Sequence, residues 1–249
     1  MHMMTALATW LIDGHWLWIG LIIFAGACLQ GLSGVGLGMV ASPVLAVLNP
    51  ELVPGPLLMI SFVLAVMSVL RERGALDTGG LGYALAGRLV ASIPAALLMG
   101  MLPVRALAIA FSLTILLAIA VSLLRVPLRP RPGTLFAAGC LSGVMGTLTS
   151  VGLPPIALVY QSVPPAQLRA SIGGFLAIGT LISIGALSWV GRFGMHEIVL
   201  GLAMLAPLLL GFSVSGRLHA LVSARRMRGI VLGVSALSAI VLLLRQLTV

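Results

Sequence analysis

The stretch FAGACLQGLSGVGLGMVASP, residues 24–43, returns 112 positions later as FAAGCLSGVMGTLTSVGLPP, residues 136–155. The two copies align without a gap and share seven identical residues, among them the glycine pair Gly34 and Gly146. Both copies are apolar, yet glycines interrupt them and a proline closes them, a composition that does not suit an uninterrupted helix. Duplicated segments of this kind, at matching places in two halves of a chain, indicate the binding site of a transporter.

The composition places the chain in a membrane. Sixty per cent of its 249 residues are apolar, 8% are charged, and the mean hydropathy is +1.21. A membrane-spanning helix needs about 20 consecutive apolar residues. Apolar windows of about this length or longer cover roughly 16–48, 54–70, 81–101, 104–124, 132–160, 166–190, 196–213 and 228–246. No polar stretch is long enough for a soluble domain, so we expect one membrane transport domain over residues 1–249, with repeats at about 16–124 and 132–246.

The net charge of +9 comes from arginine alone, since the chain contains no lysine. Most of these arginines lie in short loops beside the apolar windows, where they control topology and contact anionic lipid headgroups. No nucleic-acid-binding motif accompanies them. We therefore expect a small anionic substrate and the lipid bilayer as partners and no nucleic acid, and we leave formation of a homo-oligomer open.

Three groups of arginines indicate how the chain crosses the membrane. We call them the loop arginine clusters: Arg71 with Arg73; Arg125, Arg129 and Arg131; and Arg217, Arg225, Arg226 and Arg228. Eight alternating spans would place the last cluster opposite the other two, against the positive-inside rule. All three clusters become cytoplasmic if windows 16–48 and 132–160 enter the membrane, break at their glycines and leave on the same side. The length of window 16–48 also favours this arrangement, because 33 continuous helical residues would reach roughly 50 Å, beyond a hydrocarbon core of about 30 Å.

The predicted fold is thus an all-α polytopic membrane protein with two inverted repeats. Each repeat is a glycine-broken re-entrant helical hairpin followed by three transmembrane helices, which gives about eight hydrophobic segments. Pro94 and Pro207, 113 positions apart, extend the correspondence, because each lies inside an apolar window. A proline there kinks the helix and frees a carbonyl, which serves either packing or the transport pathway.

The hairpins form the candidate site. A helix broken within the bilayer exposes backbone N–H groups where its second half starts, at the positive end of the helix dipole, and such ends bind anions. Glycines let a ligand approach the backbone, and hydroxyl and amide side chains add hydrogen bonds. The alternative is that the glycines only allow close helix packing. The candidate substrate-binding residues are Gln30, Gly31, Ser33, Gly34, Gly36, Gly38, Ser42, Pro43, Ser142, Gly143, Gly146, Thr147, Thr149, Ser150, Pro154 and Pro155.

Arg88 is the one charge that we place well inside an apolar window, and it is a further candidate substrate-binding residue. The alternative is that its side chain snorkels to the cytoplasmic face, since it lies about two turns into its window. The acidic residues lie at window ends or in loops, so we expect no membrane carboxylate to couple transport to protons. We therefore expect an anion facilitator driven by the membrane potential and the substrate gradient.

The motifs GLSGVGLG, residues 31–38, followed by Pro43, and GVMGTLTSVGLPP, residues 143–155, resemble those of the TauE/SafE family. This family is also called the 4-toluene sulfonate uptake permease family, and the resemblance covers essentially the whole chain. It implies a multi-pass protein of the bacterial inner (plasma) membrane with eight spans. It also implies transport, as an exporter or facilitator, of sulfite, sulfonates or other small sulfur-containing or organic anions, with the particular anion and the direction left open.

Cys28 and Cys140, at the same position of the two copies, support a second hypothesis, a transmembrane thiol–disulfide electron carrier. Neither has a basic neighbour to stabilise a thiolate, and buried cysteine is a common small apolar residue. A membrane scaffold is a third hypothesis, but it gives no reason for two matched helix breaks. No P-loop, hydrolase motif or metal-binding cluster occurs in the sequence. We therefore expect a transporter and not an enzyme, without a cofactor or metal.

Overall fold

The computed structural model describes residues 15–33, 37–71, 78–124, 128–218 and 224–247. Within these ranges the regular structure is entirely helical, which confirms the predicted all-α class. The α-helices are α1 (His15–Ser33), α2 (Leu37–Leu48), α3 (Gly55–Arg71), α4 (Thr78–Met101), α5 (Val104–Leu123), α6 (Pro132–Thr149), α7 (Leu153–Val159), α8 (Pro165–Trp189), α9 (Met195–Ala203), α10 (Leu205–Leu218) and α11 (Ala224–Leu247). Single 3₁₀ turns cover Pro50–Leu52 and Tyr160–Ser162.

The second copy of the duplicated stretch forms two helices, α6 and α7. Helix α6 begins after Arg131, whose backbone N–H donates to the Thr134 hydroxyl over 3.0 Å. It ends because Ser150 has a left-handed backbone, with φ at 63°, which cannot continue a right-handed helix. Helix α7 then begins at Leu153 with Pro154 in its first turn, where the missing N–H of proline costs nothing. The break in this copy therefore falls at residues 150–152.

The first copy also contributes two successive helices, because α1 ends at Ser33 and α2 begins at Leu37. The intervening residues, 34–36, lie outside the described part of the chain. The backbone N–H of Leu37 donates to the Gln30 side-chain oxygen over 3.1 Å. The last turn of α1 thus caps the first turn of α2, which satisfies one of the N–H groups that a helix start leaves unpaired.

Three of the described helices are long and apolar enough to cross a membrane: Gly79–Met101, Val104–Leu123 and Ala170–Trp189. A fourth span results if α9 and α10, which are bent by 45° at their junction, count as one. Shorter apolar helices cover Trp16–Leu32, Leu37–Leu48, Gly55–Arg71 and Val231–Gln246. The eight hydrophobic segments and their sidedness in the membrane therefore stay predictions.

The two window prolines differ in their effect. Pro94 lies inside the continuous helix α4, with its side chain on the exposed surface. Pro207 follows the bend between α9 and α10, where Met204 separates the two helices. Proline has no N–H for the carbonyl four residues earlier, which here is that of Ala203, and its ring crowds that carbonyl. Only the second proline therefore accompanies a break in its helix.

The two halves of the chain exchange packing partners. Helix α1 packs on α10 of the second half, and α6 packs on α4 of the first half, while α3 pairs with α8 and α5 with α11. Glycine allows the two close pairs: a Cβ at Gly87 would overlap the carbonyl of Phe136, and one at Gly211 would overlap that of Phe24. Phe24 and Phe136 occupy the same position of the duplication. The first helix of each hairpin thus meets a glycine of the opposite half in the same way.

This packing corrects the correspondence drawn from the two prolines. The contacts equate Gly87 with Gly211, which are 124 positions apart, whereas Pro94 and Pro207 are 113 apart. The difference of 11 residues is about three helical turns. The register of packed helices depends on where a glycine lets two backbones approach, and a proline elsewhere in the helix does not decide it.

Candidate functional site

Arg88 on α4 is buried in the core, with 1% of its surface exposed. Its Nε donates to the carbonyl of Gly179 over 2.8 Å. Its Nη1 donates to the Ser142 hydroxyl over 2.8 Å, and its Nη2 donates to the Ser183 hydroxyl over 3.2 Å. The guanidinium therefore joins α4 of the first half to α6 and α8 of the second. The snorkelling alternative is wrong, because the side chain turns into the protein and uses its donors there.

The surroundings of the guanidinium are shaped to fit it. Its central carbon lies 5.2 Å from the ring centroid of Phe175, within the range of a cation–π interaction. A Cβ added at Gly146 would lie 2.7 Å from Arg88, and one at Gly152 or Gly179 would lie 2.5 Å from it. Each of these distances is too short for non-bonded atoms, so the three glycines are needed for the guanidinium to lie where it does.

Arg88 has no carboxylate partner among the described residues. The described acids lie elsewhere: Glu51 is 58% exposed and 3.8 Å from His196, and Glu197 accepts a hydrogen bond from the backbone N–H of Gly194. Taking a cation out of water costs several kcal/mol unless an opposite charge compensates it. The bonds within the described part of the chain use three of the five guanidinium N–H donors. A ligand with negative charge and acceptor oxygens would satisfy both needs.

A cavity with a volume of about 30 Å³ lies beside Arg88. Its lining comes from both copies of the duplicated stretch, with Gln30 and Gly38 from the first and Ser150 and Gly152 from the second. A cavity of this volume has room for roughly two water molecules, which is the scale of a small oxyanion group. The structure thus brings residues on both sides of the first helix break, and the break of the second copy, to one cavity beside a cation. We call it the arginine cavity.

A second, larger cavity has a volume of about 610 Å³, and we call it the vestibule. Its lining includes the exposed side chains of Glu51, Arg192 and His196, which lie in or next to loops. It also includes Pro54 and the buried Leu148 of α6. Ser150, which lines the arginine cavity, donates its hydroxyl proton to the Pro54 carbonyl over 2.9 Å. This hydrogen bond lies between the two cavities.

The predicted residues of the first hairpin divide between the cavity and the contact with the second copy. Gln30 and Gly38 line the arginine cavity. A Cβ at Gly38 would lie 2.6 Å from the carbonyl oxygen of Ser150, so its glycine allows α2 to approach the break between α6 and α7. The buried Ser42 hydroxyl donates to the carbonyl of Thr149. These contacts hold the first hairpin against the tip of the second.

Other predicted residues of the first hairpin lie away from the cavity or outside the description. A Cβ at Gly31 would meet the side chains of Ser215 and Phe212 on α10, so this glycine serves helix packing. Pro43 is buried within α2. Outside the described part of the chain lie Gly34, Gly36 and the side chain of Ser33.

Four predicted residues of the second hairpin contact Arg88 or line its cavity. The Ser142 hydroxyl accepts from Arg88 and donates to the carbonyl of Gly152, so one side chain connects the cation to the helix break. Gly146 lies against the guanidinium, and Ser150 lines the cavity. Gly143 lies against the backbone of Arg88, where a Cβ would be 2.7 Å from its carbonyl oxygen.

The remaining residues of the second hairpin are buried around this core. The Thr147 hydroxyl donates to Ser183 over 3.0 Å, which links it to the guanidinium through one intermediate hydroxyl. The Thr149 hydroxyl donates to the carbonyl of Met145 over 2.7 Å. The two prolines of α7, Pro154 and Pro155, are buried.

Sequence reasoning did not find Gly152, Phe175, Gly179 and Ser183. Gly152 aligns with Val40 of the first copy, so the duplication gave no reason to select it. Gly179 and Ser183 have the spacing of two small residues four apart, which is typical of close contacts between membrane helices. That spacing could have drawn attention to α8. Nothing in the sequence indicated that Arg88 would be the partner.

The two cysteines are free thiols, Cys28 buried and Cys140 partly buried. They lie on α1 and α6, which pack on different helices, α10 and α4 respectively. A thiol–disulfide relay needs its two sulfur atoms to meet. The observed packing gives no support for that alternative.

A helical, apolar chain whose two halves interlock in this way is a multi-pass membrane protein. The family model described as sulfite exporter TauE/SafE matches residues 18–242, nearly the whole chain. The protein therefore belongs to the TauE/SafE family, and this membership makes it a membrane transporter of the sulfite exporter type. Comparison with curated proteins and with solved structures finds no match.

Proposed function

We propose that this transporter carries a small sulfur-containing or organic anion, such as sulfite or a sulfonate, which binds in the arginine cavity. The observation that carries the proposal is the buried guanidinium of Arg88, which has no carboxylate partner in the described residues. Charged groups inside a membrane protein are expensive and mark substrate pathways. A transported anion would neutralise this cation only while it is bound, as a transport cycle requires.

The backbone adds to the field of the cation. Helix α2 begins at Leu37, and the neighbouring Gly38 and Met39 line the arginine cavity. The start of a helix carries a partial positive charge and N–H groups that favour an anion. The site thus combines one formal charge with one helix end, and several anions of similar size and geometry would suit it.

The exchange of packing partners supports inverted repeats. A two-fold relation between the halves would send α1 to α10 and α6 to α4, and it would pair α3 with α8 and α5 with α11, which are the contacts described above. In the proposed topology the loop arginine clusters are cytoplasmic and the vestibule, with Glu51 at its rim, opens to the other side. The proposed location is the inner membrane of a bacterial cell.

Thermal unfolding of the purified protein tests the proposed function. Sulfite, sulfate, methanesulfonate and an aromatic sulfonate are added singly, and dimethyl sulfone serves as an uncharged control. A ligand that binds only the folded state stabilises it by about 2.7 kcal/mol at a hundredfold excess over its Kd. We expect at least one anion to raise the unfolding temperature while the sulfone does not. No stabilisation by any anion, or equal stabilisation by the sulfone, would contradict the proposal.

A further inference from the structure

The hydrogen bond between the Ser150 hydroxyl and the Pro54 carbonyl lies where the arginine cavity and the vestibule approach each other. Ser150 lines the first cavity and Pro54 lines the second. The bond joins the tip of the second hairpin to the segment that leads into α3. The contact therefore links the lining of the arginine cavity directly to the lining of the vestibule.

The backbone on the hairpin side of this contact is firmly held. The Ser42 hydroxyl donates to the carbonyl of Thr149, and the Ser150 carbonyl lies against Gly38. The backbone N–H of Val151 donates to the Thr149 hydroxyl over 3.3 Å. The side-chain bond of Ser150 can therefore break by rotation about its Cα–Cβ bond, which moves its oxygen away from Pro54 without movement of the hairpin backbone.

A serine hydroxyl has one proton and can donate one hydrogen bond at a time. In the observed structure the Ser150 proton goes to Pro54. An anion in the arginine cavity is a stronger acceptor than a peptide carbonyl, because hydrogen bonds to charged groups are about twice as strong as neutral ones. Binding of the anion and closure of the Ser150–Pro54 contact therefore compete for the same proton.

We propose that Ser150 is a gate residue, which closes the arginine cavity toward the vestibule by its bond to Pro54 and opens it when the bound anion takes over its hydroxyl. This inference rests on the proposed function of the arginine cavity, and it adds a link between occupancy and access. Without an anion the gate stays closed, so the pathway does not leak. When an anion is bound, the route to the vestibule opens and the anion can leave.

The test uses accessibility of a single thiol in the cavity. Thr180 lines the arginine cavity, and Thr180→Cys is introduced into a chain with Cys28→Ala and Cys140→Ala, which removes both natural thiols. A small cationic methanethiosulfonate reagent, which cannot accept the Ser150 hydrogen bond as an anion would, is added to right-side-out and to inverted membrane vesicles. The labelling rate is then compared with and without Ser150→Gly, because glycine suits the left-handed backbone at this position.

Loss of one neutral hydrogen bond shifts an opening equilibrium by about two- to tenfold. We expect Ser150→Gly to raise the labelling rate by this factor from one side of the membrane only. The affinity for the stabilising anion should fall by about tenfold, because the bound state loses a hydrogen bond to a charged group and the free state loses only a neutral one. Ser68→Ala, which also removes a hydroxyl bond to a backbone carbonyl but lines neither cavity, should change neither quantity.

The possible outcomes separate the two proposals. Unchanged labelling in Ser150→Gly, or an increase from both sides, overturns the gate, whatever the anion affinity. Unchanged labelling together with a loss of affinity makes Ser150 an anion ligand without a gating role. The labelling experiment needs no anion, so its result is independent of the thermal unfolding test. Failure of every anion to stabilise the protein would overturn the proposed function and leave the measured labelling difference as evidence of a barrier alone.

Discussion

Replacement of Arg88 by glutamine tests the anion site most directly. Glutamine is long enough to keep a polar group near Ser142 and Ser183, but it removes the positive charge and the planar fork of donors. Arg105→Gln is the matched control, because it makes the same chemical change at an exposed arginine near the start of α5. Arg88→Lys is an intermediate variant, which keeps the charge as a point and has three donors in place of five.

The hydrogen bonds of Arg88 determine how large the loss of anion affinity should be. Within the described part of the chain, three of its five N–H donors bind protein oxygens, which leaves two for a ligand. A hydrogen bond to a charged group contributes about 1.5–3 kcal/mol. Two such bonds amount to about 3–6 kcal/mol, or roughly a 100-fold to 10,000-fold change in Kd. Glutamine would recover part of this, so we expect a loss of about 100-fold for Arg88→Gln and about tenfold for Arg88→Lys.

Although Arg88→Gln should weaken anion binding, it should not lower the stability of the anion-free protein. An uncompensated buried cation opposes folding, so its removal should leave the unfolding temperature unchanged or raise it, provided that Ser142 and Ser183 find each other or water. The assay is anion titration followed by thermal unfolding of each variant, with transport into proteoliposomes as the second readout. If Arg88→Gln binds the anion within about threefold of the native protein, or if Arg105→Gln weakens binding equally, the reasoning about the arginine cavity is wrong.

Three further predictions concern the helix break, the topology and the driving force. Gly146→Leu should abolish transport in a protein that still inserts, because even its Cβ would lie 2.7 Å from the guanidinium of Arg88. The double change Cys28→Ala with Cys140→Ala should leave transport largely intact. The opposite pattern in a flux assay would favour the redox relay. Single cysteines placed in the loop arginine clusters should resist an impermeant thiol reagent added outside intact cells, and labelling at any cluster would contradict the inverted arrangement. Outward movement of one negative charge releases roughly 2.3 kcal/mol per 100 mV, enough for a gradient of about fiftyfold. Flux in proteoliposomes should therefore follow an imposed membrane potential, and flux that follows a pH gradient at zero potential would refute a potential-driven facilitator.

The helices and their interruptions could be read largely from local sequence. The observed helices overlap the apolar windows, although α10 and α11 extend beyond theirs, and the break of the second copy falls at residues 150–152, within the duplicated stretch. These features depend on neighbours along the chain: a run of apolar residues favours a helix in lipid, and proline or a left-handed residue stops one. The number of spans could not be predicted from local sequence, because it depends on how broken helices lie in the bilayer.

The group that packs against each glycine could not be predicted from the duplication. Gly31 and Gly143 are an identical pair, yet Gly31 lies against side chains of α10 and Gly143 lies against the backbone of Arg88. Glycine is used wherever two groups approach closely, whether they are two helices or a helix and a ligand. The sequence shows that close approach is needed but does not show what approaches.

The sequence by itself determined an apolar, duplicated, all-helical membrane protein with a broken helix in each half, because these properties follow from composition and local backbone preference. Only the tertiary structure decided that Arg88 would point inward and meet Ser142, Gly179 and Ser183, which are 54, 91 and 95 residues further along the chain. An arginine about two turns into an apolar window of the sequence can reach water or protein with equal ease. The choice depends on which helix of the other half packs against α4 and on the glycines that make room there, and neither is a property of the sequence around residue 88.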